Sequence, residues 1–517
     1  RRAYRPDPRR SGDVHRPARL LRTGKNVRMM NWKMWQKCVG KMGKKLPIFL
    51  FIFILLYVIG SLICYPLLTK RHVLKQKEKY AEQAAKESVD RSASVRCLDD
   101  NTQALVYRLA LIESAQRELI MTTFDMSDGE SGQDLMAAML QAADRGVRIR
   151  LMVDGINAWL KLEKSDLFGA FSTHPNIEIR FYNPIRLTKL WKLNYRMHDK
   201  YLIADDTAYI LGGRNSNNLF LGAYRDTYNI DRDLYVLERT EKNASDVMQK
   251  KERNSLQDIK AYFEKIWVQP DQKIFRKKET EKTKEGLALL REHYKELQTA
   301  YPGAFSETET LLTQDLIRVD SIQFLHNPLY ADEKVPVVYQ RICQEMEQGE
   351  TILIQTPYII CDKGMYQDLS ELCRAGKQIE IITNAVESGA NPWGCTDYLN
   401  ERKSILKTGA GVYACMAGQS LHTKTVLIDD ETSIVGSYNL DLRSTYLDTE
   451  LMLLVKSKEL NKQLRDQAAA YQEKSAYEKA GKPSRTGSLY EKKEMSGMQK
   501  VIYSILRILI RPIREVL

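Results

Sequence analysis

Two short motifs of the same composition constrain the fold of this chain more than any other feature. Both read His-x-Lys-x4-Asp, with His198, Lys200 and Asp205 in the first copy and His422, Lys424 and Asp429 in the second. A small-residue turn and an asparagine follow each copy, at Asn215 and Asn439, and 17 residues separate histidine from asparagine both times. The copies lie 224 residues apart. Such a repeat of residue type, order and spacing predicts a duplicated fold with one active site built from both halves.

Helix and strand patterns alternate in the same order around both motifs. The first half has helical patterns at 102–118 and 132–145 and strand patterns at 119–124, 147–153, 177–182, 201–211 and 233–237. The second has helical patterns at 335–347, 364–375 and 400–407 and strand patterns at 351–356, 378–383, 411–416 and 450–454. This order predicts an α/β protein with two halves related by an internal pseudo-twofold, whose sites meet at the seam.

The residues that follow the motifs carry a resemblance to a known family. They read Gly-Gly-Arg-Asn at 212–215 and Gly-Ser-Tyr-Asn-Leu-Asp-Leu-Arg-Ser at 436–444. With the duplicated motif, they resemble the signature of the phospholipase D superfamily, and most closely that of bacterial cardiolipin synthases. The resemblance covers residues 94–457 and implies two phospholipase D-like half-domains in one chain.

The residue types in the motifs suit chemistry on a phosphodiester, which is a poor electrophile because its anionic oxygens repel a nucleophile. The site must supply positive charge, a nucleophile and an acid for the leaving oxygen. The nonbridging oxygens can be held by four side chains: Lys200, Lys424, Asn215 and Asn439. One histidine attacks phosphorus to form a phosphohistidine, and the other protonates the departing alcohol and then deprotonates the incoming one. The residues alone leave open which histidine attacks.

The resemblance implies a role for each remaining motif residue. It assigns the attack to His198 and the acid–base work to His422. It also implies an orienting acid at the start of the strand after each asparagine, matched here by Asp233 and Glu450, although Asp233 departs from the family's glutamate.

The acids that end the motifs, Asp205 and Asp429, are implied to be structural. No metal and no cofactor is implied, because the lysine pair supplies the charge. The eight cysteines contain no Cys-x-x-Cys pair and no zinc-ligand spacing, which predicts scattered free thiols.

Residues 46–68 form an apolar run without a charge, which is long enough for a helix to cross a bilayer. A cleaved signal peptide is the weaker interpretation, because the run is too long and no small-residue cleavage site follows. We expect one transmembrane helix at 46–69 and a single-pass protein of the cell membrane. Basic residues flank the run on both sides, so the membrane side of the catalytic part stays open.

The other segments differ in composition from the two halves, which we place at 95–240 and 316–460. They are a basic leader at 1–45, a helical spacer at 70–94, a charged helical insert at 241–315 and a helical tail at 461–517. The leader is expected to be disordered, or to lie upstream of a start at Met29 or Met30. It holds 15 Lys or Arg residues, so the net charge of +13 says little about the catalytic part.

Two stretches of the sequence are amphipathic, and each has two possible interpretations. Residues 186–196 are either a rim that touches lipid or a covered surface loop. The last 20 residues place apolar side chains from Val501 to Val516 on one stripe, with Arg507, Arg511 and Arg514 opposite. This basic amphipathic helix either lies at a membrane interface or packs on the domain.

Together these features predict a membrane-anchored phosphatidyltransferase similar to cardiolipin synthases. The expected partners are the bilayer and a phospholipid substrate, with phosphatidylglycerol favoured. The alternatives are a phospholipase D that releases phosphatidic acid, a nucleic-acid phosphodiesterase, and a membrane-tethered scaffold with a dead site. No nucleic-acid partner is expected, because the basic residues are concentrated in the leader. The oligomeric state stays open.

Overall fold

The computed structural model describes residues 48–74, 93–238, 254–330 and 333–517. The predicted leader, most of the predicted spacer and the first part of the predicted insert therefore lie outside the described residues. Residues Gly60–Leu517 form one compact unit, which holds both motifs. The cysteines among the described residues are free thiols.

Twenty strands, β1 to β20, occur in the described residues. They are Ser94–Leu98, Glu118–Thr123, Arg148–Asp154, Ile177–Tyr182, Tyr201–Ala204, Ala208–Gly212, Asn229–Ile230, Asp233–Leu237, Gln272–Phe275, Ile317–Arg318, Ser321–His326, Thr351–Gln355, Gln378–Asn384, Gly411–Cys415, Ser420–Leu421, Thr425–Ile428, Thr432–Gly436, Leu451–Lys456, Ser475–Glu478 and Arg485–Thr486.

The described helices are α1 to α15 in chain order. They are Ile48–Leu74, Asn101–Ser114, Glu130–Asp144, Gly155–Lys161, Asp166–Phe171, Ser255–Trp267, Glu281–Ala300, Pro302–Phe305, Thr308–Thr313, Val337–Gln348, Lys363–Arg374, Pro392–Lys407, Leu442–Tyr446, Lys458–Gln472 and Gly497–Leu509. Two 3₁₀ segments lie at Leu187–Lys192 and Arg511–Val516.

Each half contains one nine-stranded sheet. The first has the order β10-β1-β8-β6-β5-β2-β3-β4-β9, and the second has β11-β18-β17-β16-β12-β13-β14-β19-β20. In sheet order, the eight strands that run from β1 to β9 match the eight that run from β11 to β19, position by position. In both sheets the central strand, β2 or β12, pairs in parallel on one side and antiparallel on the other. The repeated order confirms two α/β half-domains in one chain.

Reciprocal backbone contacts join the two halves. Leu421 in β15 lies opposite Ile230 in β7, and Met197 bridges to Thr449. Because Leu421 and Met197 directly precede the two motif histidines, each half holds the start of its partner's motif. This exchange is the pattern that a pseudo-twofold relation produces.

A central apolar core lies between the two sheets. It includes Ile120 from the first sheet and Leu353 from the second, with Phe263 of α6 and Leu464 of α14 packed into the same cluster. Separate cores lie under the other helices of each half. Burying one large apolar side chain stabilises a fold by about 1.5–3 kcal/mol. The shared core therefore fixes the seam where the motifs meet.

Three strands, β9, β19 and β20, lie in segments that the sequence predicts to be helical. The predicted insert contributes β9 to the edge of the first sheet beside β4, and the predicted tail contributes β19 beside β14. In both halves a helix, α6 or α14, leads to this strand. The repeated unit thus extends further than predicted. The sequence of β9, Gln-Lys-Ile-Phe, is short and mostly outside the core, so it carries little strand periodicity.

Helix α1 covers the predicted transmembrane segment and continues to Leu74. It is long and apolar enough to cross a membrane, judged by length and composition. Large apolar side chains from Ile48 to Leu56 are exposed. A π-helical turn at Gly60–Cys64 interrupts its regular geometry.

The segment 186–196 directly precedes the first motif and contacts the second part of α1, residues 60–74. Asn194 Nδ2 donates a hydrogen bond to the carbonyl of Leu62 (2.8 Å). The ring of Tyr195 packs edge-on against that of Tyr65, with centroids 6.3 Å apart. One end of the segment is therefore anchored on the helix, which neither the rim nor the surface-loop interpretation anticipates.

Candidate active site

His198 is held by the opposite half of the molecule. Its Nδ1 lies 2.9 Å from Oε1 of Glu450, and its backbone N–H donates to Oγ1 of Thr449 (3.1 Å). The ring of Phe124 packs edge-on against the imidazole, with centroids 5.1 Å apart. Because Nδ1 faces a carboxyl group, the hydrogen-bond network assigns the ring proton to Nδ1 and the lone pair to Nε2.

The surroundings of His198 favour its neutral form. Burial, followed by the charge of Lys200, holds the pKa of His198 well below its usual range. Burial raises the pKa of Glu450 to about 8, although Lys200 acts in the opposite direction. Hydroxyl groups of Ser437 and Ser444 donate to the two oxygens of this carboxyl group. A neutral imidazole with its lone pair on Nε2 is the form that can attack phosphorus.

His422 makes the mirrored contacts with the first half. Its Nδ1 lies 2.6 Å from Oδ2 of Asp231, and its backbone N–H donates to the carbonyl of Ile230 (2.7 Å). The ring of Phe220 packs edge-on against it, with centroids 4.9 Å apart. Burial and then Lys424 lower the pKa of His422 to about 4, while Asp231 acts in the opposite direction.

Asp231 differs from Glu450 in its charge state. Burial raises the pKa of Asp231, but Lys424 and His422 outweigh this effect and hold the pKa below its usual range. An ionised carboxylate stabilises the protonated form of the imidazole that it faces. The pair of His422 and Asp231 is therefore suited to carry a proton when an anionic phosphodiester is bound.

The acid that faces His422 is Asp231 and not the predicted Asp233. Asp233 is fully buried, and its carboxylate binds the guanidinium groups of Arg108 (2.9 Å) and Arg214 (3.4 Å). It therefore neutralises two buried cations inside the first half, where a charge needs a partner.

The sheet register explains this two-residue correction. The N–H of Gly213 donates to the carbonyl of Arg232 (3.0 Å), as the N–H of Ser437 does to that of Leu451 (2.9 Å). The acids directly before these carbonyl residues are therefore equivalent: Asp231 and Glu450. The sequence Asp-Arg-Asp at 231–233 places two acids on the same face of an extended strand, so the residue pattern does not separate them.

Lys200 and Lys424 are buried beside the histidines. Nζ of Lys200 donates to the carbonyl of His198 (2.5 Å). Nζ of Lys424 contacts the carbonyl and the ring of His422, and lies 3.2 Å from its Nε2. Burial lowers the pKa of Lys200 to about 7 and also lowers the pKa of Lys424. Ammonium groups removed from water gain strongly from a bound anion, so both are well placed to hold phosphate oxygens.

Asn215 and Asn439 leave polar atoms unpaired at the site. The Oδ1 atom of each is buried and has no hydrogen-bond partner among the described residues. Nδ2 of Asn439 donates to the hydroxyl of Tyr358 (3.2 Å). Turning either amide by half a rotation exchanges its oxygen and nitrogen, which would present a donor to a phosphate oxygen. Buried groups without partners are expected where a ligand completes the hydrogen bonding.

Asp205 and Asp429 lie at the far ends of the motif strands, away from the histidines. The carboxylate of Asp205 accepts backbone N–H groups of residues 116–118 at 2.8–2.9 Å, and that of Asp429 accepts those of residues 350–351 at 2.8–2.9 Å. Both residues adopt a positive φ, 52° and 46°. These contacts fix the start of the central strand in each sheet.

Two residues outside the motifs fix the backbone just before each histidine. Oδ2 of Asp154 accepts the N–H of Met197 (3.2 Å), and Oδ1 of Asn384 accepts the N–H of Leu421 (2.7 Å). Neither residue belongs to the motif patterns in the sequence. A signal was present, because each is a polar residue that ends the second buried parallel strand of its half, where ligand sites of α/β proteins gather.

Lys334 is a further buried cation that sequence patterns do not reveal. Its side chain is 2% exposed, and its Nζ has no hydrogen-bond partner among the described residues. Burial lowers its pKa to about 8, while Asp448, Asp199 and Glu450 act in the opposite direction. It lies outside both repeats, so no motif points to it.

The arrangement brings a neutral imidazole, an imidazole facing an ionised acid, two ammonium groups and two amides into one cluster. Each of these groups serves one requirement of displacement at the phosphorus of an anionic diester. No group of three or more His, Cys, Asp or Glu side chains in the described ranges is arranged to hold a metal ion.

Comparison with known families identifies the superfamily. The family model described as the cardiolipin synthase phospholipase D-like domain matches residues 109–267 and 342–471, which is more than half of the chain. The chain belongs to the phospholipase D superfamily. It is an enzyme of this superfamily with two cardiolipin synthase-like domains. The two matched segments end in α6 and α14 and stop before β9 and β19.

Individual relatives are distant but match most of the chain. An uncharacterized protein of Helicobacter pylori (strain ATCC 700392 / 26695) is 26% identical over 428 residues, 75% of this chain and 80% of the relative. Cardiolipin synthase C of Escherichia coli (strain K12) is 26% identical over 399 residues, 70% of this chain and 81% of the relative. The crystal structure of phosphatidylserine synthase from Haemophilus influenzae Rd KW20 matches with a TM-score of 0.58 at 16% identity, over 86% of this chain and 100% of that one, and shows the shared fold.

Proposed function

We propose that this enzyme is a membrane-anchored phosphatidyltransferase that makes cardiolipin from two molecules of phosphatidylglycerol. The observation that carries the proposal is the exchange of orienting acids across the seam, in which Glu450 faces His198 and Asp231 faces His422. Neither half holds a complete site, so both histidines act on one phosphodiester.

The reaction proceeds in two balanced steps. Nε2 of His198 forms a bond to phosphorus, the bond from phosphorus to the glycerol oxygen breaks, and that oxygen takes a proton from His422. A hydroxyl of the second phosphatidylglycerol then gives its proton to His422 as its oxygen attacks phosphorus and the N–P bond breaks. The products are cardiolipin and free glycerol. In both steps the two buried lysines balance the charge on the nonbridging oxygens, and the two asparagines donate hydrogen bonds to them.

The difference in acid charge supports this assignment of roles. The pKa of Glu450 is raised to about 8, which leaves His198 with a partner that does not favour the imidazolium. The ionised Asp231 stabilises the imidazolium of His422. His198 therefore suits nucleophilic attack, and His422 suits proton transfer.

Two further features support a lipid substrate and transfer to an alcohol. Helix α1 is long enough to hold the enzyme in the cell membrane, next to its phospholipid substrate. The relative in Escherichia coli is named a cardiolipin synthase, and it matches over 70% of this chain.

The full chain in detergent, given phosphatidylglycerol labelled in its acyl chains, tests the proposal. We expect labelled cardiolipin and one glycerol per cardiolipin. The variants His198→Ala and His422→Ala should lose the product, while His174→Ala should retain it because His174 lies outside the site and binds Asp144 (3.3 Å).

Three other outcomes would contradict the proposal. Phosphatidic acid as the sole labelled product would replace transfer by hydrolysis and overturn the cardiolipin assignment. Cardiolipin that persists in either site variant would overturn the two-histidine mechanism. Cleavage of a labelled oligonucleotide without any lipid product would favour a nucleic-acid phosphodiesterase.

A further inference from the structure

Helix α15 presents an apolar face to the outside of the protein. Six of its large apolar side chains are 44–71% exposed: Met498, Val501, Ile502, Ile505, Ile508 and Leu509. At ~100° per residue, these six positions fall within about one third of the helix circumference. A capping box between Ser496 and Gln499 starts the helix, so this face is ordered and not a frayed end.

A different face of the same helix is docked on the second half. Tyr503 and Ile510 are buried, and the guanidinium of Arg507 donates to Oδ1 of Asn400 in α12 (2.9 Å). Because this docked face already satisfies the packing interpretation, the six exposed side chains need another partner. An exposed apolar stripe of this size costs free energy in water unless something covers it.

The end of the chain after α15 lies beside the second part of α1. Nζ of Lys70 pairs with Glu515 (2.6 Å), and Arg443 donates to the carbonyls of Val516 (3.0 Å) and Asn194 (2.7 Å). Asn194 in turn donates to Leu62 of α1 (2.8 Å). The tail is thus fixed at the point where the membrane-length helix meets the catalytic body.

The charge of this region complements an anionic surface. Residues 497–517 hold four basic residues, Lys500, Arg507, Arg511 and Arg514, and one acid, Glu515, for a net charge of +3. Within the described ranges, Lys500, Arg507 and Arg511 form no ion pair. An apolar face with basic side chains on the other side of the helix is the pattern of helices that lie in the headgroup layer of anionic bilayers.

We propose that α15 is an interfacial helix that lies in the headgroup layer of an anionic phospholipid bilayer, next to the point where α1 leaves the membrane. It provides a second membrane contact that fixes how the catalytic body faces the lipid. The proposal needs only α1 in a bilayer and does not depend on the phosphohistidine chemistry.

The same contacts connect this membrane surface to the active site. Arg443 also binds Asp448 (2.9 Å), and Oδ1 of Asp448 accepts the backbone N–H of Arg196 (3.2 Å). Arg196 lies two residues before His198. A helix held at the headgroup layer would therefore hold the first motif close to the phosphodiesters of the same leaflet.

Photocrosslinking in proteoliposomes tests this inference. The full chain with His198→Ala, which does not consume substrate, carries p-benzoylphenylalanine in place of Ile508 and is placed in vesicles of phosphatidylcholine with acyl-labelled phosphatidylglycerol. The same residue replaces Leu56 in α1 as a positive control and Lys462 on the polar surface of α14 as a negative control, since both are exposed. We expect at least about tenfold more labelled adduct at position 508 than at 462, increasing with the fraction of anionic lipid.

A lipid adduct at position 56 without one at 508 would overturn the inference, because the protein would then be inserted with α15 away from lipid. A crosslink from position 508 to a second copy of the chain would also overturn it and assign the face to an interface between copies. Neither result would affect cardiolipin formation by the unmodified enzyme, so this inference and the proposed reaction fail separately.

Discussion

The two halves of the site share their backbone contacts and differ in the acid that faces each histidine. Glu450 is fully buried, receives hydroxyl hydrogen bonds from Ser437 and Ser444, and has a pKa raised to about 8 by burial. Asp231 stays ionised because Lys424 and His422 hold its pKa below its usual range despite burial. A duplicated fold thus provides two chemically different imidazoles, which a two-step displacement requires.

A second difference lies beside the asparagines. Thr123 and Thr356 are equivalent, because each donates its hydroxyl to the carbonyl of the residue two positions later. That residue is Asp125 in the first half and Tyr358 in the second. Asp125 pairs with Lys161 (2.6 Å), whereas the hydroxyl of Tyr358 accepts a hydrogen bond from Asn439. One wall of the site is charged and the other is aromatic, so the two halves do not offer equivalent surroundings to a ligand.

The strongest test distinguishes the roles of the two histidines by means of an activated substrate. Phosphatidyl p-nitrophenol has a leaving group that departs as a stable anion and needs no acid. His422→Asn should release one p-nitrophenol per site and then stop, because the incoming alcohol is not deprotonated. His198→Asn should show no burst and lose at least ~10³-fold in turnover. Stopped-flow absorbance measures both.

The burst should leave a covalent intermediate on the enzyme. Acid-quenched His422→Asn should carry one phosphatidyl group on the peptide that contains His198, detectable by mass spectrometry. A burst in His198→Asn and none in His422→Asn would reverse the assigned roles.

Removing the charge of each acid should affect the halves unequally. Asp231→Asn removes an ionised partner and should lower kcat by ~10³-fold, whereas Glu450→Gln replaces a carboxyl group whose pKa is already raised and should cost ~10-fold. Steady-state kcat for cardiolipin formation at neutral pH measures the ratio. Equal losses in the two variants would show that the acids act alike and would remove the basis for assigning different roles.

The alkaline side of the pH profile should report Lys200. Burial lowers its pKa to about 7, so its charge is present below this pH and lost above it in the free enzyme. We expect kcat/KM to fall by up to about tenfold per pH unit above neutrality, and Lys200→Arg to remove this fall because arginine stays charged. Lys424→Arg is the matched control. Loss of the fall in Lys424→Arg alone would assign it to the other half.

The sequence identifies the fold class and most of the site because both depend on local patterns. The strand patterns at 177–182 and 233–237 coincide with β4 and β8, and helix α10 begins and ends within two residues of its prediction. His198 and His422 lie at equivalent positions, as the repeated spacing requires. Edge strand β9 is missed because its pairing with β4 is long-range and leaves little alternation in four residues.

The sequence does not show which acid orients His422, because this choice also depends on long-range strand pairing. The choice between Asp231 and Asp233 depends on which residue lies opposite Gly213 in the folded sheet, and a two-residue shift preserves the face of the strand. Lys334 is recognisable only after folding, since its burial near Asp448 and Glu450 comes from distant parts of the chain.

The smallest effects should come from the acids that end the motifs, where the halves also differ. Asp205 is buried and accepts three backbone N–H groups, whereas Asp429 is partly exposed and accepts two backbone N–H groups and the hydroxyl of Thr351 (3.2 Å). Asp205→Ala should therefore lower the apparent Tm by several degrees and Asp429→Ala by less, because each buried hydrogen bond to a charge contributes about 1.5–3 kcal/mol. Asparagine at either position should be milder, since it tolerates the positive φ. Loss of turnover in Asp205→Ala without a change in Tm would instead place this carboxylate in the chemistry.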